Sequence, residues 1–85
     1  MERTILYFAW VREQIGISEE RVTLPSDVQT LADLAQSFVS RGGGYAIAFS
    51  DLTKLRGALD MAMVPLATAI GEAREIAFFP PVTGG

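Results

Sequence analysis

The 85-residue chain contains no cysteine and no histidine. Without cysteine there can be no disulfide, no thiolate metal site and no cysteine nucleophile. Without histidine it lacks the commonest metal ligand and the commonest general base near neutral pH. A self-sufficient metal site or nucleophilic active site is therefore not expected, and no bound cofactor is expected. Positive charge is also scarce: 7 Lys and Arg stand against 10 Asp and Glu, for a net charge of −3. A nucleic-acid partner would call for a basic surface. No apolar run reaches the roughly 18–20 residues of a membrane span. The start, Met1-Glu2-Arg3-Thr4, leads into a strand-like run without the plan of a signal peptide. These absences together point to a cytoplasmic protein that binds neither nucleic acid nor membrane.

What is present suits a packed globule: 49% of residues are hydrophobic, enough for one domain over residues 1–85. Residues 4–12 are rich in strand formers, with Ile5, Tyr7 and Ala9 on one face and Leu6, Phe8 and Trp10 on the other. Both sets are apolar, as in a central strand or one that carries an interface. Gly16 breaks the run, and Glu19-Glu20 reads as a solvated charge cluster. Residues 21–24 read as a second strand ended by Pro25, which makes a hairpin with a long turn. Residues 30–41 form the clearest helix: Leu31, Leu34, Ala35, Phe38 and Val39 fall on one stripe. Thr30 can cap it with Asp33 as a capping box, and Gly42 sits where a left-handed C-cap belongs. Gly43 and Gly44 extend the stop into a loop. Residues 45–50 fit either a strand or a turn of helix. Residues 54–60 read as a third strand and residues 63–66 as an edge strand, since Pro65 is tolerable only at an edge. Glu75-Ile76-Ala77-Phe78-Phe79 is a strong last strand.

A helix stripe of this kind must be buried across one face of a sheet. The two-sided first strand is the natural neighbour for the last. The expected fold is α+β of the β-grasp, ubiquitin-like type: a mixed sheet of about five strands with one main helix across one face. A flexible tail, residues 80–85, follows.

That tail is Pro80-Pro81-Val82-Thr83-Gly84-Gly85. Two prolines stiffen the chain and project it, and β-branched Val82 and Thr83 favour the same extended form. Gly84 and Gly85, lacking side chains, can pass through a channel little wider than backbone. A Gly85 carboxylate could be activated there by another protein: adenylation by ATP supplies the leaving group that a bare carboxylate lacks. Gly-Gly alone also describes an ordinary frayed terminus. The complete run on a grasp-like pattern favours the reactive reading.

The sequence resembles the small subunits of molybdopterin synthase, a family of ubiquitin-like sulfur carriers. The likeness covers nearly the whole chain. It is strongest at Leu6-Tyr7-Phe8-Ala9-Trp10-Val11-Arg12-Glu13 with Gly16 following, and at Ala77-Phe78-Phe79-Pro80-Pro81-Val82-Thr83-Gly84-Gly85. The resemblance implies that an ATP-dependent activating enzyme adenylates Gly85 and that a C-terminal thiocarboxylate results. It implies that this tail enters the large synthase subunit, which supplies lysine and arginine groups, and donates sulfur to cyclic pyranopterin monophosphate. The large and small subunits would form a heterotetramer. By position, the resemblance makes Phe8, Arg12, Met63, Phe79, Pro80, Pro81, Val82 and Thr83 partner-binding residues, with Gly84 and Gly85 at the reacting end. Core packing is the alternative for Phe8, Phe79 and Met63, and a solvated charge for Arg12. Two departures stand out: Asp60 where the family has Asn, and Gly71-Glu72-Ala73-Arg74-Glu75 in place of an Asp-Gly-Asp-Glu turn. Carriers for thiamine or cysteine synthesis, and ubiquitin-like modifiers of lysines, share Gly-Gly and remain the alternatives.

Overall fold

The computed structural model describes residues 2–81. The elements run β1 (Glu2–Tyr7), α1 (Ala9–Ile15), β2 (Glu19–Thr23), α2 (Leu31–Val39), α3 (Gly43–Ala48), a 3-10 turn (Leu52–Lys54), β3 (Arg56–Leu59), β4 (Ala62–Val64) and β5 (Glu75–Phe79). The strands form one mixed sheet in the order β2-β1-β5-β3-β4. β1 and β5 are parallel, with Ile5 opposite Ile76 and Tyr7 opposite Phe78, and the other pairs are antiparallel. The last strand lies beside the first, and β4, followed by Pro65, is an edge, as expected. No helix among the described residues is long and apolar enough to cross a membrane.

The registers sort the side chains into two faces. Ile5, Tyr7, Ile76 and Phe78 are buried with Leu31, Leu34, Ala35 and Phe38 of α2. Aromatic rings lock this layer: Phe38 meets Tyr7 edge-on at 6.4 Å, and Phe49 meets Phe78 at 5.0 Å. α2 begins as expected. The Thr30 hydroxyl accepts from Asp33 N–H at 3.0 Å, and the Asp33 carboxylate accepts from Thr30 N–H at 3.0 Å.

Three expectations need correction. The first strand ends at Tyr7, not near residue 12. Phe8 N–H still donates to Phe78 O at 3.2 Å. Ala9 then takes φ 52°, and residues 9–15 wind into α1. This buries Val11 completely and leaves Gly16 as a left-handed cap with φ 97°, its N–H donating to Arg12 O at 2.7 Å. Trp10 and Val11 are strand formers by propensity, but burial of the Val11 face against the core outweighs that preference.

The three glycines after α2 are the second correction. Gly42 N–H closes the last turn onto Val39 O at 3.1 Å, but Gly43 and Gly44 open α3 instead of a loop. Gly44 lies so close to α1 that a Cβ would overlap the carbonyl oxygen of Gln14. Only glycine lets the two helices meet there.

The third concerns Glu20. It is not part of a solvated cluster but the polar hub of the α2–α3 side. Tyr7 OH donates to Glu20 Oε2 at 2.7 Å and Tyr45 OH at 2.6 Å, while Arg41 donates to Glu20 Oε1 at 3.1 Å. Arg41 also stacks over the rings of Phe38 and Tyr45, at 4.5 and 4.8 Å.

Candidate functional site

The sheet face away from the helices is built by the alternate residues of the same strands. Thr4, Leu6 and Phe8 point outward from β1, as do Glu75, Ala77 and Phe79 from β5. Ala58 stands opposite Ala77, and Met63 opposite Ala58. A shallow groove of about 240 Å³ runs across this face. It is lined by Leu6, Phe8, Ala58, Met61, Met63, Glu75, Ala77 and Phe79. Small residues sit at the bottom, where Ala58 and Ala77 are nearly covered; large ones form the walls. Phe8 is 45% exposed and Met63 65%. Water-exposed apolar side chains gathered in one groove make this face a candidate docking surface.

Glu75 is the one charged residue in this lining. A cluster of ionisable groups with shifted affinities lies on the other face of the sheet, around Glu20. Burial raises the Tyr7 hydroxyl far above its ordinary pKa, and the hydrogen bond to Glu20 adds to the effect. Burial opposes ionisation of Glu20, but hydrogen bonds from Tyr45, Tyr7 and Arg41, with the Arg41 charge, hold its carboxyl below the ordinary 4.5. Glu20, bonded by Tyr7, Tyr45 and Arg41 of its own fold, reads as a structural clamp between elements.

The structure brings Phe8, Met63 and Phe79 together in the groove, and leaves Arg12 out of it. Arg12 is exposed on α1 and lines neither the groove nor the cleft at the root of the tail. Pro80 and Pro81 follow directly from Phe79 and line that second, larger cleft of about 670 Å³, with Trp10 and Ile47. The chain thus leaves the sheet between two partly apolar surfaces. Val82, Thr83, Gly84 and Gly85, expected to form the arm and the reacting end, lie outside the described residues.

Sequence reasoning did not single out Leu6 and Met61 for the groove, or Trp10 and Ile47 for the cleft. Leu6 carried a signal, since it alternates with Phe8. Met61 follows Asp60 in the turn between two strand-like runs, and nothing in its residue type sets it apart. Trp10 was assigned to the same face as Phe8; the turn at Ala9 sends it elsewhere.

Comparison with known proteins places this architecture. The ThiS family model matches residues 5–85. The molybdopterin synthase sulfur carrier subunit of Haemophilus influenzae is 37% identical over 95% of this chain and 96% of its own. That of Escherichia coli is 36% identical over the same shares. Among solved structures, SAMP1 from Haloferax volcanii superposes with a TM-score of 0.69 at 23% identity, covering both chains fully. A complex of subunits 1 and 2 of the molybdopterin-converting factor from Helicobacter pylori contains a chain that matches with a TM-score of 0.61 at 20% identity, again over both full lengths. At these identities the structural matches speak for the fold, a ubiquitin-like β-grasp.

Proposed function

The chain belongs to the ThiS family, and from its 37% and 36% identity to two molybdopterin synthase sulfur carrier subunits we propose that it is the sulfur carrier subunit of a molybdopterin synthase. The observation that carries this reading is the apolar groove of Leu6, Phe8, Met63 and Phe79 on the open sheet face, next to the point where the C-terminal segment leaves β5. A carrier has to be held by one protein while its end reaches that protein's active site. A docking face beside the root of the arm does this: it fixes the domain, and the prolines limit the entropy lost on threading the arm.

The chemistry then takes place at Gly85. A cytoplasmic activating enzyme transfers AMP from ATP to the Gly85 carboxylate and releases pyrophosphate. A sulfur nucleophile adds to the acyl carbon and AMP leaves. Sulfide gives the thiocarboxylate directly. A donor persulfide gives an acyl disulfide whose S–S bond a second thiol cleaves, freeing the thiocarboxylate and leaving the donor in a disulfide. In the large synthase subunit the thiocarboxylate sulfur forms a C–S bond to a carbon of cyclic pyranopterin monophosphate and displaces an oxygen leaving group from it. Hydrolysis of the acyl–sulfur bond leaves sulfur on the pterin and regenerates the Gly85 carboxylate. Two such deliveries supply both dithiolene sulfurs. Small-subunit side chains contribute docking to these steps and no proton transfer. Phe8, Met63 and Phe79 form the docking face, Pro80 to Thr83 the arm, and Arg12 a contact outside the groove.

Phe8→Ala is the direct test of the docking face. It removes an aromatic that is already half exposed, so the fold should keep its stability to within about 0.5 kcal/mol. Affinity for the large subunit, measured by calorimetry, should fall about thirtyfold or more, as for a central interface aromatic. Unchanged affinity would mean that the partner binds elsewhere.

A further inference from the structure

β3 and β4 are joined by a two-residue link, because Leu59 pairs with Ala62. The linking residues are Asp60 and Met61, with φ of 48° and 73°. Positive φ at both central positions is the mark of a type I′ turn, where the second position strongly favours glycine. Asp60 suits its place. Its backbone N–H donates to Glu75 O at 2.9 Å, and its Oδ1 accepts from Arg74 N–H and Glu75 N–H, each at 2.9 Å. These bonds tie the turn to the start of β5 and hold its backbone.

Met61 has no such local reason. A side chain with a Cβ is disfavoured in the left-handed region, and this one is 89% exposed. It is an apolar group in water on a strained backbone where glycine would relieve both costs. It does line the groove, with Met63 and Phe79. Strain of this kind in a residue held by its surroundings points to a role in binding. An unbranched thioether chain also moulds readily to an apolar pocket.

We infer that Met61 is a binding contact for the large synthase subunit, extending the docking groove over the β3–β4 turn. This inference rests on the docking reading above. The Asp60 bonds to Arg74 and Glu75 tie the turn to the start of β5, the strand that carries Phe79.

The test is Met61→Gly, with Met61→Ala and Phe8→Ala in parallel, against the large subunit from the same organism. Met61→Gly should raise Tm by about 4 °C, because the left-handed position loses its Cβ. The same variant should bind the large subunit about tenfold more weakly. Met61→Ala should leave Tm unchanged and weaken binding to the same extent. A residue with only a structural role cannot move stability and affinity in opposite directions. If Met61→Gly binds at full affinity while Phe8→Ala does not, the inference falls and the docking face stands. A Met61→Gly variant that is less stable also overturns it, since the strain would not exist. If neither variant weakens binding, the docking reading itself fails.

Discussion

Glu20→Ala is expected to lower the unfolding free energy by about 3 kcal/mol. The carboxylate accepts from two tyrosines and from Arg41, and its side chain is only 19% exposed. Tyr7 is 1% exposed, so without Glu20 its hydroxyl is left buried with no acceptor, which costs about 1–3 kcal/mol on its own. The Tyr45 and Arg41 contacts are nearer to water and add less. A double variant separates these contributions. Tyr7→Phe in the Glu20→Ala background removes the orphaned hydroxyl and should restore about 1 kcal/mol, although Tyr7→Phe alone is destabilising. Urea denaturation of the four proteins checks the cycle. A loss below about 1 kcal/mol for Glu20→Ala, within the range of an ordinary surface change, would show that the hub does not hold the helices.

The same clamp sets a pH dependence. The folded-state pKa of Glu20 lies below its ordinary value of 4.5. Its stabilisation is therefore complete above that value and is lost as pH falls through the folded pKa. The stability gap between the wild type and Glu20→Gln should be constant from neutral pH down to about 5 and close below it. A gap that widened on acidification would reverse the sign of the assignment.

A single alanine appended after Gly85 is expected to abolish sulfur transfer while the domain stays folded. The extension turns the Gly85 carboxyl into an amide, so in the proposed activation the oxygen that would accept AMP is no longer that of a carboxylate. The new terminal carboxylate carries a methyl, which the proposed passage through a backbone-wide channel would exclude. The last strand ends at Phe79, before the two prolines, so Tm and the circular dichroism spectrum should not change. Binding to the large subunit should survive in large part, because the groove is intact. Wild-type sulfur transfer by the extended protein would contradict activation at Gly85.

Several parts of this molecule were legible in the residues themselves. β5 reads directly from Glu75 to Phe79, and α2 from its stripe and its Thr30–Asp33 box. The grouping of Phe8 and Phe79 away from the core follows from simple alternation, because Ile5, Tyr7, Ile76 and Phe78 already supply the inward set. The parts that escaped depend on partners far away in sequence. Glu20 looks like half of a solvated pair beside Glu19; its partners are 13, 21 and 25 residues distant. α3 begins on glycines that disfavour a helix, and the reason for Gly44 is the Gln14 carbonyl of another element. α1 was hidden by Trp10 and Val11, whose strand propensity yields to one backbone turn at Ala9. Met61 escaped because its positive φ of 73° is a backbone feature that its residue type does not announce.

The most direct measurement is the intact mass of the protein after incubation with its activating enzyme, ATP and a sulfur donor, with fragmentation to locate the change. The mass should rise by the replacement of one oxygen by sulfur, confined to Gly85, and should revert when the large subunit and cyclic pyranopterin monophosphate are added. A mass that stays constant under these conditions, or a sulfur found on any other residue, would contradict the sulfur-carrier account.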